Sequence, residues 1–581
     1  RGYDSAGVAI LEGDEITITK TAGRISVLEQ IVNPQLKGHT GIGHTRWATH
    51  GAPTDDNAHP HANANGRIAI VHNGIIENYV SLRKYLEHLG VTFKSDTDTE
   101  VLVQLIGRFY KGDLEQAVRR ALHDVAGTYG ITVICADEPD VIVAARKGSP
   151  LIIGVGQGEH VIASDASAIL AHTSQVVYLE DGEIARVTPS EFRLTTLEAI
   201  PVNREVEEVE WSLDQIELAG YEHFMQKEIF EQPTAMENCL RGRIDLEEGQ
   251  VRLGGLVDCT RELIRTKRFI LTACGTAWHS ALVGEYLFEE IIRIPTEVEY
   301  ASEFRYRNPI VEEGTTVIAV SQSGETTDTQ AALREAKQRG ALVLGVVNVV
   351  GSTIARETDA GVYLHVGPEI GVASTKAFTG QVAVLALMAC YLGRRKHMSV
   401  ASSTLFLTAL SRIPDQMRET LKGADQAKEV AARFHQCENW LYLGRGFNYP
   451  LALEGALKLK EISYIHAEGL PAAEMKHGPI ALITEGMPVV FIATAGSQYE
   501  KIMSNVEEVR SRGGSIIAIA TEGDREIARH ADHVIFVPDT IEPLQPLLAS
   551  IPLQLIAYHA AVLRGCNVDK PRNLAKSVTV E

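Results

Sequence analysis

The sequence predicts an α+β domain followed by two α/β domains with parallel, doubly wound sheets. The first third of the chain consists of short β-rich runs broken by Gly, Asn and Asp. The remainder alternates apolar strand runs with helical patterns at the spacing of βαβ units. Two stretches of this second part also resemble each other. The chain has 581 residues, and at about 150 residues per domain this length requires several domains.

The N-terminal domain is predicted over residues 1–202. Its runs GVAIL, RIAIVH, YGITVICA and VIVAARKG have the composition of strands, and only a few helical stretches lie between them. A polar segment over residues 203–254 begins with the acidic run EVEEVE and continues with a helical pattern. We interpret this segment as a linker.

The two α/β domains are predicted over residues 255–400 and 401–570, with a C-terminal tail over 571–581. FILTACGTA aligns with WLYLGRGFN, and REAKQRGALVLGVVN aligns with EEVRSRGGSIIAIAT at nearly the same offset. Because the similarity keeps its offset over most of a domain, a tandem duplication is favoured over chance.

Composition and charge exclude several classes of protein. The chain is 45% hydrophobic and 22% charged, which argues against long disorder or a coiled-coil rod. Its net charge of −20 has the wrong sign for a general nucleic-acid binder. The apolar stretch over 381–392 is too short to span a bilayer, and no signal segment is evident. The sequence therefore predicts a soluble, cytoplasmic protein without nucleic-acid or membrane partners.

The seven cysteines predict neither disulfides nor a zinc site, because their number is odd, they are scattered, and no CxxC pair occurs. We expect them to be reduced thiols.

The motif GHTRWATHG in the first domain is rich in polar groups. Arg46 has the planar fork that suits a carboxylate, and Thr49 and His50 add further hydrogen-bonding groups. A loop of this composition, taken alone, is more often structural.

Two further motifs of the first domain each have a structural and a functional interpretation. Asn73 and Gly74 lie between apolar runs, which is typical of a hairpin turn. Alternatively, the Asn amide and the Gly N–H form an oxyanion hole. In SDTDTE, Thr97 and Glu100 have the spacing of a capping box, whereas Asp98 has the charge to bind an α-amino group.

A phosphate site is predicted where the strand TTVIAVS runs through SQSGETTDT into a helix. Four side chains place hydroxyl and amide groups at the helix N-terminus: Ser321, Gln322, Ser323 and Thr326. The helix dipole favours an anion there, and an ordinary N-cap needs only one such residue. No GxxxxGK[ST] motif occurs, so no metal ion is predicted. Val372 and Ser374, in EIGVASTKAF, lie in a small-residue run that can approach a sugar closely.

The second α/β copy has TAGSQY opposite the phosphate loop, so we expect one phosphate pocket per chain. It carries instead a charged helix in which Glu454, Lys458 and Glu461 share one face. Such a ladder is typical of a solvated surface. The functional alternative is proton transfer at a carbonyl sugar, which favours a Glu of raised pKa and a Lys of lowered pKa.

Two candidates lie near the C-terminus. His477, in EMKHGP, can act as an acid or base near neutral pH, although single histidines are usually structural. Lys576 lies in the tail PRNLAKSVTVE, and a desolvated lysine there can attack a carbonyl as a Schiff base.

Eleven motifs occur in one order: RGYDSAG, GHTRWATHG, NAHPH, HNGIIEN, SDTDTE, CGT, SQSGET, EIGVASTKAF, EGALKLKEISYIHAE, KHGP and PRNLAKSVTVE. In this combination the chain resembles the glutamine–fructose-6-phosphate aminotransferase (isomerising) family along essentially its whole length. The resemblance implies an N-terminal nucleophile (Ntn) glutaminase domain followed by two sugar isomerase (SIS) domains. It also implies the transfer of ammonia from glutamine to fructose 6-phosphate, which gives glucosamine 6-phosphate and glutamate. This reaction is the first step of hexosamine and UDP-N-acetylglucosamine biosynthesis, and the resemblance implies no cofactor for it.

The resemblance assigns a role to each candidate. The residues implied for glutamine binding are Arg46, Thr49, His50 and Asp98, with Asn73 and Gly74 as the oxyanion hole and Trp47 as the gate of an ammonia channel. Those implied for sugar-phosphate binding are Thr276, Ser321, Gln322, Ser323, Thr326, Val372 and Ser374. The implied catalytic residues are Glu461 for proton transfer with Lys458 and Glu454 as its helix partners, His477 for ring opening, and Lys576 for the open-chain carbonyl. The family supplies this histidine from a neighbouring subunit, so a homodimer is expected.

The chain departs from the family pattern at two points. Ala277 follows the CGT run where family members commonly have Ser, so one hydroxyl contact to the sugar is expected to be missing. The family's glutaminase nucleophile is an N-terminal Cys that precedes RGYDSAG, whereas this chain begins at Arg1. We therefore interpret the start as a truncation and expect no glutamine hydrolysis by the chain as given.

Three other functions would each account for part of the sequence. A phosphoribosyl-type amidotransferase would share the glutaminase half but needs a pyrophosphate loop that is not found after residue 254. A sugar-phosphate sensor would need neither a glutaminase half nor Glu461, His477 and Lys576. Isomerase activity without amination remains the nearest alternative.

Overall fold

The computed structural model describes residues 4–46, 50–165, 168–209 and 217–578. They divide into two compact units. The first unit comprises the residues up to 217 together with those from 572 onward, and the second comprises residues 218–571.

The first unit contains fourteen strands and four helices among its described residues. Its strands are β1 (Ser5–Glu12), β2 (Glu15–Ala22), β3 (Thr40–Arg46), β4 (His61–Ala62), β5 (Ile68–Ile76), β6 (Gly127–Cys135), β7 (Glu138–Lys147), β8 (Ile152–Val155), β9 (His160–Ala163), β10 (Gln175–Tyr178), β11 (Glu183–Val187), β12 (Phe192–Thr196), β13 (Pro201–Val202) and β14 (Glu207–Glu208). Its helices are α1 (Ile25–Ile31), α2 (Tyr79–His88), α3 (Asp98–Phe109) and α4 (Leu114–His123).

These strands form a layered α+β structure around a seven-stranded antiparallel sheet of order β13-β12-β11-β7-β6-β5-β4. Strand β5 shows how the layers arise. Ile68 and Ile70 face a core shared with α3 and α4, whereas Ala69 and Val71 face a core shared with the sheet β2-β1-β3. Successive residues of a strand point to opposite faces, so an apolar run can serve two cores. The α+β class predicted for this region is confirmed.

The second unit contains two five-stranded parallel sheets and a short hairpin. The hairpin strands are β15 (Ile244–Asp245) and β16 (Gln250–Val251), and the sheet strands are β17 (Arg268–Ala273), β18 (Thr296–Tyr300), β19 (Thr315–Ser321), β20 (Leu342–Val347), β21 (Ala360–Tyr363), β22 (Asn439–Gly444), β23 (His466–Pro471), β24 (Pro488–Ala493), β25 (Ser515–Thr521) and β26 (His533–Val537). The helices are α5 (Phe224–Phe230), α6 (Gln232–Leu240), α7 (Thr260–Arg265), α8 (Thr276–Ile291), α9 (Ala301–Phe304), α10 (Thr327–Gln338), α11 (Thr353–Glu357), α12 (Lys376–Lys396), α13 (Val400–Leu421), α14 (Ala424–Phe434), α15 (Tyr449–Ser463), α16 (Tyr499–Arg510), α17 (Ile527–His530) and α18 (Gln545–Leu563). Short 3₁₀ helices span Gly254–Leu256, Gly446–Asn448, Ala472–His477, Pro479–Leu482 and Glu542–Leu544.

The two sheets have the same topology. Their orders are β18-β17-β19-β20-β21 and β23-β22-β24-β25-β26, so in each sheet the second strand in sequence lies outside the first. All neighbouring strands are parallel. The predicted doubly wound sheets and the tandem repeat are confirmed.

Two helices of the second unit are long and apolar enough, by length and composition, to cross a membrane. They are α12 and the segment Glu542–Leu563, whose most apolar windows are 100% and 83% buried inside the unit. Both contribute to one apolar core that adjoins both sheets. Burial of this extent is typical of core helices in a soluble protein, and a fully buried helix is apolar all round. The strands of a parallel sheet that is covered on both faces are apolar on both sides for the same reason.

Part of the segment predicted as a linker belongs to the second unit. Helices α5 and α6 bury Met225, Ile229, Met236 and Cys239 in the core of that unit. The helical pattern from residue 218 therefore reflects packing, and only the part of the predicted linker up to residue 217 belongs to the first unit.

In a sheet of this strand order, the connections that leave the first and third strands run in opposite directions, and the place between these two strands is called a switch point. Ligands bind there, at the carboxyl ends of the strands. The switch points lie between β17 and β19 in the first sheet and between β22 and β24 in the second. Topology therefore gives two candidate crevices in the second unit.

Gly469 permits a close approach of strand β23 to helix α15, and replacing it should destabilise the second unit. A Cβ at this position would lie 2.5 Å from the carbonyl oxygen of Ala452. We expect Gly469→Ala to lower the free energy of unfolding by about 1–3 kcal/mol through overpacking. The measurement is the guanidinium denaturation midpoint. Gly254→Ala is the matched control, because nothing lies within 4 Å of a Cβ there; equal midpoints for the two variants would contradict the prediction.

Candidate active site

The first switch point assembles the predicted phosphate loop. Ser321 is the last residue of β19, and Thr326 immediately precedes α10. Ser321 Oγ accepts a hydrogen bond from the Gly324 N–H at 3.0 Å and lies 3.2 Å from Thr326 Oγ1. Ser323 Oγ accepts from the Glu325 N–H at 3.1 Å. The predicted order of strand, polar loop and helix is thus present, and the helix N-terminus adds a favourable field for an anion.

Gly324 is required by the tight path of this loop. Its φ is +66°, and a Cβ there would lie 2.0 Å from Ser352 Oγ. A larger residue would therefore displace the loop from its position at the switch point.

A second loop, residues 369–375, lies before α12 and carries Val372 and Ser374. The Val372 N–H donates to the carbonyl oxygen of Asp569 at 3.0 Å. Glu228, which is 2% exposed, accepts from the amides of residues 370 and 371. Glu369 accepts from the amides of residues 375 and 377 at 2.9 and 3.0 Å. Buried carboxylates therefore hold the loop through its backbone.

The charged face of α15 is buried. Glu454 and Lys458 are each 1% exposed, and Glu461 is half-buried. Helices α8 and α18 pack against α15. The interpretation of this face as a solvated salt-bridge surface is therefore wrong, because helical spacing shows which residues share a face but not what covers it.

Thr276 connects this face to the first switch point. It begins α8 directly after β17, and its Oγ1 accepts from Lys458 Nζ at 2.9 Å and donates to Glu454 Oε1 at 3.1 Å. Lys458 Nζ lies 3.4 Å from Glu454 Oε1 and forms an ion pair with Glu461. His279 Nδ1 lies 2.7 Å from Glu454 Oε2. The second unit thus brings the charged helix to the edge where the phosphate loop lies.

The network keeps its charges. Burial alone would raise the pKa of the Glu454 carboxyl, but Lys458 and the hydrogen bonds from His279 and Thr276 outweigh it, so this pKa is lowered. Burial alone would lower the pKa of Lys458, but Glu454 and Glu461 together raise it. The expectation of a lysine with a lowered pKa is therefore wrong for Lys458, which is held as an ammonium by two carboxylates.

His279 was not found from the sequence, although it lies three residues after Thr276 and therefore on the same side of α8. Nor were the loop-holding residues Glu228 and Asp569, because their partners lie far away in the sequence. Glu369, in contrast, belongs to the motif EIGVASTKAF, so the sequence alone could have identified it as a candidate.

The second switch point differs in its polar groups. Ser497 lies in the loop of the second copy that corresponds to the phosphate loop of the first. Its N–H and its hydroxyl both donate to the carboxylate of Glu542, at 3.1 and 2.9 Å. A carboxylate of the protein itself therefore binds the loop in the second copy.

Two further predicted catalytic residues lie on other elements. His477 is exposed, at the end of the 3₁₀ helix Ala472–His477. Lys576 is half-buried in the segment from 572 onward, which groups with the first unit.

In the first unit, Arg46 ends β3 and is 3% exposed. Its guanidinium donates to the carbonyl oxygens of His50, Gly51 and Ala52. The fork thus holds the following loop, and its use for a ligand carboxylate stays a prediction. The ring of His50 packs edge-on against Tyr79 at 4.9 Å. Trp47 and Thr49 lie outside the described residues.

Asn73 and Gly74 lie inside strand β5, where they pair with Gly130 and Tyr129 of β6. The hairpin interpretation is therefore wrong, since the chain does not turn at these residues. Gly74 has a φ of +141°, and a Cβ there would lie 2.3 Å from the carbonyl oxygen of Thr128. A positive φ is unusual inside a strand, and the role of Asn73 and Gly74 as an oxyanion hole stays a prediction.

Asp98 begins α3 and is 4% exposed, and its Oδ2 accepts from the Ile76 N–H at 2.8 Å. Thr97 caps the helix by accepting from the Glu100 N–H. Glu100 bonds instead to the N–H and hydroxyl of Ser95, so the reciprocal half of the capping box is absent from the described contacts. Asp98 and the end of β5 are thereby held together.

Four histidines lie near this position: His59, His61 and His72, which are buried, and His44, which is half-buried. The rings of His44 and His59 lie 4.6 Å apart, and His59 and His72 both contact Thr99 Oγ1. Burial lowers the pKa of each, to about 3 for His44. These imidazoles are therefore neutral near pH 7.

Comparison with known proteins agrees with this organisation. A glutamine amidotransferase domain model matches residues 33–209, and an SIS domain model matches twice, over residues 262–391 and 433–564. The class is thus a glutamine amidotransferase domain joined to tandem SIS domains.

Two curated proteins similar to this chain carry the same name. The glutamine–fructose-6-phosphate aminotransferases [isomerizing] of Chlorobaculum tepidum and Thermus thermophilus are 58% and 52% identical, over 100% of this chain and 96% of each relative. The C-terminal domain of the Francisella tularensis glucosamine-fructose-6-phosphate aminotransferase matches with a TM-score of 0.58 at 35% identity, over 61% of this chain and 99% of that one. The chain belongs to the glutamine–fructose-6-phosphate aminotransferase (isomerizing) family.

The buried histidines should make the first unit acid-sensitive. Their folded-state pKa values lie below the value of about 6.5 in the unfolded chain, so the unfolded state binds more protons as the pH falls. Stability should be lost below about pH 6.5, by up to about 1.4 kcal/mol per histidine for each pH unit. Urea midpoints between pH 7.5 and 5.5, followed on β5 and β6 by pulsed hydrogen exchange at a fixed pulse pH, measure this loss.

The matched variants are His61→Gln, which should reduce the pH dependence, and His88→Gln on the surface, which should not. A midpoint for the first unit that is constant across this pH range would contradict the prediction.

Proposed function

We propose that the second unit of this chain converts fructose 6-phosphate and ammonia to glucosamine 6-phosphate, and that the protein as a whole takes this ammonia from glutamine, as its family name describes. The observation that carries the proposal is the bridge through Thr276, which joins the buried pair Glu454–Lys458 to the switch point beside the phosphate loop. A phosphate anchor and a buried proton-transfer group at one sheet edge suit the isomerisation of a phosphorylated carbonyl sugar.

The sugar is proposed to bind by its phosphate to the Ser321–Thr326 loop, where hydroxyls, amides and the α10 N-terminus favour an anion. Gln322 and Ser323 belong to this loop, and Thr276, Val372 and Ser374 complete the pocket. The missing hydroxyl at Ala277 is offset by the hydroxyls of the loop.

Glu461 is proposed to take a proton from C1 and return it to C2 once ammonia has replaced the C2 oxygen. The ammonium of Lys458 contacts Glu461 and favours the carboxylate form that accepts a proton. Lys576 is proposed to engage the open-chain carbonyl, and its amine must lose a proton to do so.

His477 is proposed to open the sugar ring from a second copy of the chain. Its exposed position outside the Glu454–Lys458 network suits such a contribution, and this favours a homodimer.

The first unit is proposed to be an Ntn-type glutaminase that supplies ammonia. Arg46, Thr49, His50 and Asp98 are the proposed glutamine-binding residues, Asn73 and Gly74 the oxyanion hole, and Trp47 the channel gate. The layered sheets support the fold, and the unusual φ of Gly74 supports a backbone N–H aimed at a developing oxyanion.

The domain division is proposed as in the sequence, 1–202, 203–254, 255–400, 401–570 and 571–581, except that residues 218–254 of the predicted linker belong to the second unit. Cysteines outside any disulfide bond in the described part of the chain and the buried apolar helices suit a cytoplasmic enzyme.

The direct test is formation of glucosamine 6-phosphate from fructose 6-phosphate by the full chain, with glutamine and with an ammonium salt in parallel. Product with ammonium supports the proposal, and product with glutamine would overturn the expectation that the chain as given does not hydrolyse glutamine. If neither donor gives product while fructose 6-phosphate interconverts with an aldose phosphate, the chain is an isomerase. The structure would also allow this activity, because the network around Glu454 and Lys458 lies entirely within the second unit.

Glu461→Gln should abolish most of the ammonia-dependent activity. Removing a general base typically lowers kcat by about 10²–10⁴-fold, and the phosphate loop should leave the KM for fructose 6-phosphate within about threefold. Steady-state kinetics with ammonium as donor measure both. Glu468→Gln on the exposed edge of β23 is the control, and an unchanged kcat for Glu461→Gln would refute the role of Glu461.

Ser321→Ala should affect binding instead of the chemical step. The change removes one hydroxyl from the loop and its bond to the Gly324 N–H, so we expect the KM for fructose 6-phosphate to rise about tenfold, as for a lost hydrogen bond to a charged group. The value of kcat should change by less than about threefold. Ser411→Ala, on the exposed side of α13, is the control. A fall in kcat alone would show that the loop does not hold the phosphate.

A further inference from the structure

His279 has no role in the proposed steps, yet it contacts the centre of the charged network. It lies on α8, is 8% exposed, and places Nδ1 2.7 Å from Glu454 Oε2. A carboxylate can only accept a hydrogen bond, so Nδ1 must carry the proton in this contact. The tautomer of His279 is therefore fixed by Glu454.

This contact divides the hydrogen bonds of Glu454 between its two oxygens. Oε2 accepts from His279, whereas Oε1 accepts from Thr276 and faces Lys458. The plane of the carboxylate is thereby fixed from α8 at both oxygens. Without the donor at Oε2, the carboxylate can rotate toward another partner and withdraw Oε1 from Lys458.

We infer that His279 is a positioning residue for the proton-transfer helix: it orients Glu454, and Glu454 sets where the ammonium of Lys458 meets Glu461. The inference rests on the proposed function, because it concerns the same reaction. It extends that function by a residue outside the motif set, held by α8 in the first copy and acting on α15 in the second.

Simple packing is the competing explanation for His279. Its ring lies 5.6 Å from that of Trp278, which in turn stacks on Tyr300 at 4.1 Å. A packing role requires only the ring volume, whereas a positioning role requires the N–H of Nδ1. The two explanations therefore differ for substitutions that keep the volume or keep the donor.

Three variants of the full chain separate them. His279→Phe keeps a ring without a donor, His279→Leu is a second donor-free variant should the first fail to fold, and His279→Asn has an amide N–H near the position of Nδ1. We expect kcat with ammonium to fall about 10- to 100-fold in the two donor-free variants, because they leave a buried oxygen of the Glu454 carboxylate without its hydrogen-bond donor. His279→Asn should retain kcat within about threefold, and the KM for fructose 6-phosphate should change little in all of them.

Ser280→Ala is the matched control, because it removes a buried hydrogen bond from the neighbouring residue of α8, to Gln381. It should lower the melting temperature without lowering kcat. Equal kcat in His279→Phe and wild type, or equal losses in His279→Asn and His279→Phe, would overturn the inference.

A crystal structure of His279→Phe gives a readout that does not depend on the reaction. The distance from Lys458 Nζ to Glu454 Oε1, 3.4 Å in the unmodified chain, should increase as the carboxylate rotates. Unchanged positions of Glu454 and Lys458 would overturn the inference whatever the assay gives. If the unmodified chain forms no product but the carboxylate does move, the proposed function fails and the positioning role stands.

Discussion

The buried contact between Glu454 and Lys458 is the constraint on which the proposed site depends. Two opposite charges, each 1% exposed, are stable there only because each is paired and hydrogen-bonded. Removing either partner would leave an uncompensated charge in the core. This requirement explains why Thr276 and His279 lie where they do: they supply the donors and acceptors that the carboxylate and the ammonium would otherwise obtain from water.

The same constraint shapes the surrounding fold. Helix α15 can bury a charged face because α8 presents polar groups to it, while most of the surrounding core of the second unit is apolar. Buried carboxylates are used again at Glu228 and Glu369, which hold the loop of residues 369–375 through backbone amides. The second unit therefore fixes its loops with internal charges, and its apolar core supplies the bulk of the stabilisation.

Much of this architecture was predictable from the sequence. The alternation of apolar strands and helices gave the parallel sheets, and the crowd of hydroxyls after TTVIAVS gave the loop at the switch point. The failures concern contacts between distant segments. Asn73 and Gly74 have hairpin chemistry, but pairing with β6 keeps them within a strand. The charged ladder of α15 has a surface pattern, but its cover comes from helices far away in the sequence. His279 was missed because its partner lies 175 positions away, and no local pattern reports such a contact.

The bridge from Thr276 to Glu454 joins two halves of the same topology. In the first half the loop at the switch point carries a cluster of hydroxyl groups, whereas in the second half the corresponding loop binds the carboxylate of Glu542 and helix α15 supplies the charged face. A substitution at the contact between α8 and α15 can therefore leave both sheets folded and still move the charged face away from the first switch point, so a measurement of stability alone would not reveal the damage.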